Sequence, residues 1–216
     1  ILSLGFSPFL ILATDSLILI LLNTILQKYG GKSQGDMFIT CATIAQSYLL
    51  LITSSMIGIS GGTQAILSYN YGARRADRVK DAEKNILGVM LIFTTIMFLL
   101  SRLVPRYFVL LFTSDPQYIS FSVWAIHTYT LMIIPLSFQY VFVDGLTALD
   151  RPKTGLALSV TRKSLFVLSA AILPVFFDAK AAFFAEPVAD GVCSVLSTVV
   201  FLLLINRHLQ KRCQTV

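Results

Sequence analysis

Long apolar runs separated by short polar segments make up almost the whole of this chain. A helix needs about 20 apolar residues to cross the roughly 30 Å hydrocarbon core of a bilayer. Six runs are long enough, and they cover about residues 6–27, 37–60, 86–111, 119–146, 156–177 and 181–205. The pattern therefore predicts an all-α fold class, a polytopic membrane protein with six transmembrane helices.

Glycine and proline mark the places where the runs are interrupted. Gly30 and Gly31 predict a turn after the first run, and Pro105 interrupts the third. Pro135 predicts a kink in the fourth run, because proline lacks the backbone N–H and its ring clashes with the preceding turn.

Two charged segments lie outside the apolar runs. Residues 74–85 mix both signs of charge and show no apolar stripe, so we expect a short surface helix at the lipid headgroups. Residues 206–216 are expected to form a basic tail.

The composition supports a membrane protein and excludes most soluble classes. Of 216 residues, 56% are hydrophobic and 13% are charged, and the mean hydropathy is +0.77. Soluble domains are about 45–50% apolar and about 25% charged. The net charge of +6 would suggest nucleic acid in a soluble chain. Here the basic residues lie between apolar runs, so membrane lipids are the expected partner and nucleic acid is not.

The basic residues also predict the orientation. Twelve lie on one side of the six-span topology and five on the other. The richer side holds Arg74, Arg75, Arg78, Lys80, Lys84, Arg151, Lys153, Arg162, Lys163, Arg207, Lys211 and Arg212, and the poorer side holds Lys28, Lys32, Arg102, Arg106 and Lys180. The positive-inside rule places the richer side, and with it both ends of this chain, in the cytoplasm.

No pattern typical of an enzyme or a metal site is visible. Cys41, Cys193 and Cys213 are widely spaced, and neither His127 nor His208 has a metal-like neighbour. No glycine-rich phosphate loop occurs. We therefore expect no catalytic residues, no metal and no cofactor, and we expect His127 to be a packed polar residue.

Acidic residues inside the apolar runs are the candidates for chemistry. Asp15 lies in the middle of the first run, and an ionisable residue inside a membrane indicates a functional site by default. The alternative is that Asp15 only bonds a neighbouring helix. Glu186 and Asp190 are four residues apart on one helix face. They either hold two helices together through hydrogen bonds, which is the interpretation we favour, or form a wall of a hydrated cavity. The candidate cavity-lining residues are Asn23, Gln64, Gln139, Glu186 and Asp190.

A structural ion pair is predicted from depth in the membrane. At about 1.5 Å per residue, Asp144 lies roughly 6 Å from the end of the fourth run. Arg162 and Lys163 lie at a similar depth, about 10 Å from the same side, in the fifth. We therefore expect Asp144 to pair with one of these two cations.

Six motifs occur in an order that points to one family. They are SPFLILATDSL near the start, SYNYGARR after the second run, LFTSDP before the fourth, TALDRPKTG after it, TRKSL in the fifth and FAEPVAD in the sixth. Together they resemble the multidrug and toxic compound extrusion (MATE) transporters, especially the bacterial DinF/MepA-like branch.

The resemblance implies one lobe of a larger transporter. Family members have twelve spans in two six-helix lobes around a central cavity, and this chain matches the C-terminal lobe. The implied function is efflux of amphipathic, cationic drugs or metabolites in exchange for H⁺ or Na⁺ across the plasma membrane of a bacterium. The implied partners are the organic cation and a missing N-terminal lobe or a second copy of this chain.

The resemblance carries over to few individual residues. Asp15 lies close to an ion-coupling carboxylate found in the seventh span of some members. Asp144 is not equated with a carboxylate in their tenth span, because it lies nearer the cytoplasmic end. Gly61 and Gly62 stand where relatives often read Q-G.

Three alternatives remain open at this point. A lipid-linked oligosaccharide flippase of the same superfamily would line its cavity with Arg and Lys, whereas Asp15, Glu186 and Asp190 are acidic. A membrane-embedded enzyme would need clustered catalytic residues, which the sequence does not show. The chain taken alone could also be a transport-incompetent fragment.

Overall fold

The chain folds as a helical bundle, as a computed structural model shows. The structure describes the backbone of residues 2–214 and the side chains of residues 16–31 and 34–205. Its helices are α1 Leu2–Gly72, α2 Ala76–Leu103, α3 Pro105–Val109, α4 Pro116–Tyr129, α5 Ile133–Ala148, α6 Pro152–Phe176, a 3₁₀ helix Ala179–Phe184 and α7 Ala185–Gln214. No strand occurs in this part of the chain, and the all-α fold class is confirmed.

Helix α1 consists of two arms that meet at the glycine pair. Gly31 has φ 64° and ψ −171°, in the left-handed region that glycine tolerates best. A Cβ on Gly30 would lie 2.8 Å from the Cα of Gly35, so the two arms approach through bare backbone. The second arm, Gln34–Gly72, is long and apolar enough to cross a membrane.

Helix α2 corrects the prediction of a separate surface helix over residues 74–85. It begins at Ala76 and continues without a break to Leu103. Val79, Glu83, Ile86 and Met90 are all buried, at the spacing of one helix face. This buried stripe was not recognised from the sequence, because one of its four residues is a glutamate.

Helices α4 and α5 form a bent pair that together is long and apolar enough to cross a membrane. Their axes differ by 47°, and the break covers residues 130–132. Pro135 lies three residues beyond the break, and its ring excludes a regular helical turn at the carbonyl of Leu131. Asp115 caps the start of α4, because its Oδ1 accepts a hydrogen bond from the Gln117 N–H at 2.8 Å.

Four stretches of the described chain are long and apolar enough to span a membrane, and the bent α4–α5 pair makes a fifth if it crosses as one span. In the first predicted run, residues 6–15 lie outside the described side chains. Many large apolar side chains face outward, among them Leu50, Ile92 and Leu203. Such a surface suits contact with lipid.

The two ends of the bundle differ in chemistry. At one end, the Ser68 hydroxyl donates to the Ala148 carbonyl at 3.2 Å and joins the ends of α1 and α5. The loops at residues 73–75 and 149–151, which contain Arg74, Arg75 and Arg151, lie at this end. At the opposite end, Phe38, Phe121 and Phe183 form an aromatic cluster. The segment 206–214, predicted to be a tail, continues α7.

Candidate functional site

A three-residue charged cluster, Arg162, Glu186 and Asp190, joins α6 to α7. The Arg162 Nη2 lies 2.7 Å from Glu186 Oε1, and its Nε lies 2.6 Å from Asp190 Oδ1. The two carboxylates are one turn apart on α7, so one planar guanidinium reaches both of them. The predicted face of Glu186 and Asp190 therefore has a cationic partner that the sequence did not reveal.

Because this cluster is buried, it affects both the stability of the protein and the net charge of its interior. The Asp190 side chain is fully buried, and those of Arg162 and Glu186 are 21% and 16% exposed. Removing one partner from a buried ion pair costs about 3–5 kcal/mol, because the remaining charge has no counter-ion. Two acids face one base, so the cluster carries one net negative charge when all three groups are ionised. The contact between α6 and α7 favours the hypothesis that Glu186 and Asp190 hold two helices together.

Several buried polar atoms of α5 and α7 lack a hydrogen-bond partner among the described residues. They are Asp190 Oδ2, Gln139 Oε1 and Ser197 Oγ. A buried polar group without a partner costs about 1–3 kcal/mol, so native structures usually satisfy it with protein, water or ligand. The α5–α7 interface therefore offers places for water molecules or a polar ligand.

The register between α5 and α7 locates Gln139 relative to the cluster. Met132 lies against Gly191, and Phe142 stacks on Phe201 with ring centroids 4.4 Å apart. Both pairs have the same sequence offset, which places Gln139 at the level of Thr198. Gln139 is 4% exposed and lies farther from the aromatic end than the charged cluster.

Asp144 does not pair with Arg162, and that part of the ion-pair prediction is wrong. Its carboxyl group lies beside Ser60 and Gln64 of α1. Counting residues along a helix does not give the helix face on which a side chain lies. Arg162 points from α6 toward α7, while Asp144 points from α5 toward α1. The pairing of Asp144 with Lys163 stays a prediction.

Glu83 is a buried acid that the sequence analysis missed. It is 5% exposed, interacts electrostatically with Asp144 and lies against Gly145. The helical spacing of Val79, Glu83 and Ile86 was the signal that could have revealed it. Among the predicted cavity residues, Gln64 lies beside Asp144, whereas Asn23 is half-buried on the first arm of α1. The side chain of Asp15 lies outside the described residues.

Two hydrogen bonds between hydroxyl groups connect α2 with the bent α4–α5 pair. Thr94 and Ser137 hydroxyls are 2.8 Å apart, and those of Ser101 and Thr130 are 3.0 Å apart. The second pair sits at the break between α4 and α5. His127 is partly buried, and its Nε2 has no hydrogen-bond partner within the described part of the chain.

The family of the chain follows from comparison with known proteins. The MatE family model matches residues 12–173, well over half of the sequence. The chain belongs to the MatE family. Members of this family are integral membrane transporters and not enzymes, which confirms the prediction that this chain is no enzyme.

A curated relative and several solved structures are similar to this MatE chain. An FAD transporter of Shewanella oneidensis is 26% identical over 136 residues, which are 63% of this chain and 29% of the relative. A MATE crystal structure in complex with MaL6 matches 92% of this chain and 44% of its own, with 15% identity and a TM-score of 0.82. An inward-facing multidrug resistance MATE transporter matches 94% and 46%, with 15% identity and a TM-score of 0.81.

These matches support the one-lobe interpretation. The chain spans less than half the length of each of these relatives, while the structures cover more than nine tenths of this chain. A third match, an outward-facing multidrug resistance MATE transporter, has a TM-score of 0.82 at 15% identity and covers 92% of this chain and 44% of its own. The DinF/MepA-like branch remains a prediction.

Proposed function

We propose that this MatE chain is one lobe of a secondary active exporter that exchanges an organic solute for H⁺ or Na⁺. The observation that carries the proposal is the family match over residues 12–173. The nearly equal TM-scores to the inward-facing and outward-facing structures, 0.81 and 0.82, support a lobe that keeps its internal fold while the transporter changes state. Alternating access then needs a second lobe or a second copy of this chain.

The proposed coupling uses a carboxylate in the membrane. A proton or Na⁺ that binds Asp15 neutralises it and weakens its attraction for a cationic solute. Such a ligand changes the equilibrium between states only if it binds one state more tightly than the other. Asp15 remains the candidate because it is an acid in the middle of the first apolar run.

An organic cation is the proposed cargo. Among the described residues, the buried or half-buried acids outnumber the bases of the same burial: Glu83, Asp144, Glu186 and Asp190 against Arg102, Arg162 and Lys163. A cavity bordered by net negative charge attracts cations and repels anions. Arg162 neutralises one of the four acids, so this preference is weaker than the sequence alone indicated.

A flavin dinucleotide is the second candidate cargo. The observation that favours it is the relative named as an FAD transporter. FAD carries a negatively charged diphosphate, for which an Arg guanidinium is a suitable ligand. In this lobe Arg162 already bonds two carboxylates, so the diphosphate would need cations from elsewhere in the protein.

Transport by the complete protein in proteoliposomes separates these candidates. Uptake of ethidium and of FAD is measured while a pH gradient or a Na⁺ gradient is imposed. We expect gradient-driven ethidium uptake that Asp15→Asn abolishes and Asp36→Asn, a change at an exposed acid, leaves intact. Uptake of FAD alone would replace the cationic cargo with the dinucleotide. Unchanged ion dependence in the Asp15→Asn protein would remove Asp15 from the coupling mechanism.

A further inference from the structure

A cavity opens at the aromatic end of the bundle, where the second arm of α1, the start of α4 and the 3₁₀ helix meet. Its volume is about 590 Å³. Sites for small molecules typically have volumes of about 300–1,000 Å³. The cavity includes no residue of the Arg162 cluster, and the proposed export mechanism uses none of the residues that line it.

Aromatic rings form the floor of this cavity. Phe38 is buried, and Phe121 and Trp124 are half-buried. The ring centroids of Phe38 and Phe121 are 5.0 Å apart, and those of Phe121 and Trp124 are 5.1 Å apart. Phe183 of the 3₁₀ helix packs against Phe121 and Trp124, with centroids at 5.3 and 5.5 Å. Because neighbouring rings support one another, the floor offers a fixed apolar surface to a flat ligand.

Polar side chains form the rim of the same cavity. Gln34 and Gln117 bring amide groups, and Ser120 brings a hydroxyl group. All three residues are exposed. An apolar floor with a few polar groups around it is the usual arrangement of a small-molecule site, in which the polar groups fix the orientation of the ligand.

Lys180 gives the cavity its charge, since it is the only charged residue among the described residues that line it. Its Nζ lies 5.8 Å from the centroid of the Phe121 ring, which places the ammonium group beside the aromatic floor. No carboxylate forms an ion pair with Lys180 in the described part of the chain. The acids nearest in sequence to the lining residues, Asp36, Asp115 and Asp178, do not line the cavity. A cation without a counter-ion beside aromatic rings attracts a ligand that is both flat and negatively charged.

We propose that this cavity binds a planar aromatic anion, a small molecule in which a carboxylate or another acidic group is attached to an aromatic ring. The acidic group pairs with the Lys180 ammonium, and the ring lies against Phe121 and Trp124. The amide groups of Gln34 and Gln117 offer N–H donors to the remaining oxygen atoms. Because Lys180 repels cations, the site is separate from that of a cationic cargo and does not depend on the proposed export.

Fluorine NMR tests the proposal on the complete protein, labelled with fluorotryptophan, in nanodiscs of phosphatidylcholine. Trp124 is the one tryptophan of this sequence, and Trp124→Phe identifies its resonance. Naphthoate is titrated in parallel with naphthamide, which has the same ring without the charge, and with cyclohexanecarboxylate, which has the charge without an aromatic ring. We expect a saturable shift of the Trp124 resonance with naphthoate, and weaker binding of both other probes.

A change at Lys180 tests the charge recognition. Lys180→Met should weaken naphthoate binding about fivefold, to the affinity of naphthamide, because an exposed ion pair is lost. Lys28→Met is the matched control. The Lys28 Nζ also lies over an aromatic ring, 5.6 Å from the Tyr29 centroid, but Lys28 does not line the cavity. This variant should bind naphthoate as the wild type does.

Several results would overturn the proposal. Equal affinities for naphthoate and naphthamide, or a Lys180→Met protein that still prefers naphthoate, contradict recognition of the charge. Cyclohexanecarboxylate binding as tightly as naphthoate contradicts recognition of the ring. Absence of a saturable shift with naphthoate overturns the site, and a shift on adding phosphatidylglycerol instead assigns the cavity to a lipid headgroup. None of these measurements involves transport, so their failure leaves the export proposal in place.

Discussion

Arg162 and Asp190 are joined by a 2.6 Å contact between α6 and α7, and the Asp190 side chain is fully buried. The same guanidinium bonds Glu186 one turn earlier on α7. Two helices that are neighbours in sequence, separated by a short 3₁₀ helix, are thus fixed by charge as well as by apolar packing. The first four predictions concern the stability of this bundle.

Replacing Arg162 by Met should destabilise the protein by about 3–5 kcal/mol, because two buried carboxylates lose their counter-ion. Arg162→Lys should fall between this variant and the wild type, since one ammonium cannot reproduce the two directed bonds of Nε and Nη2. Thermal unfolding in nanodiscs measures both. Arg106→Met, at an exposed position, is the control and should change the melting temperature little.

Removing all the charges of the cluster should recover most of that loss. The triple variant Arg162→Met, Glu186→Gln, Asp190→Asn has no buried unpaired ion, and neutral replacement of buried ion pairs is often well tolerated. We expect a melting temperature above that of Arg162→Met alone. A triple variant as unstable as the single one would show that packing of the Arg162 side chain, and not its charge, stabilises the interface.

The contact between Gly145 and Glu83 predicts that the stability cost of Gly145→Ala depends on the side chain at position 83. Gly145→Ala should destabilise the wild type by about 1–3 kcal/mol, because the Cβ overlaps the Glu83 carboxyl group. In a Glu83→Ala background the same change should cost much less. Gly88→Ala is the control on α2, where an added Cβ meets no atom within 4 Å. Equal losses in both backgrounds would contradict the contact.

The left-handed backbone at Gly31 predicts a local cost of substitution. Gly31→Ala should destabilise by about 1–2 kcal/mol, because a Cβ disfavours φ near +64°. Gly58→Ala, within the second arm of α1, should be neutral or stabilising, since no atom lies within 4 Å of its Cβ and alanine favours a helix. Unfolding measurements on the pair compare the two effects directly.

Much of the architecture follows from patterns along the chain. Apolar runs of membrane length predicted the helices, and Gly31 and Pro135 predicted where the backbone turns and bends. These features are local, because they depend on the conformational limits of one or two residues. The charged segment at residues 74–85 was misjudged, since Glu83 occupies a buried position that its chemistry disfavours.

The partners within the site could not be predicted in the same way. Depth along a helix comes from counting residues, but the direction of a side chain depends on which helices pack together. Asp144 lies near the end of α5 and faces α1, while Arg162 reaches two carboxylates of α7 that lie deeper in the bundle. Glu186 and Asp190 were recognised as one polar face, but their shared cation comes from another helix and no spacing rule identifies it.

The exchange reaction is the central claim, and proton movement tests it most directly. The complete protein is reconstituted in proteoliposomes that hold a pH-sensitive dye and a preset pH gradient, in Na⁺-free buffer and in parallel with Na⁺. Adding an organic cation should dissipate the imposed gradient of the coupling ion in proportion to cation uptake, and protein-free liposomes should show neither change. Uptake of no solute, or uptake that leaves both the H⁺ and the Na⁺ gradient unchanged, would contradict the account.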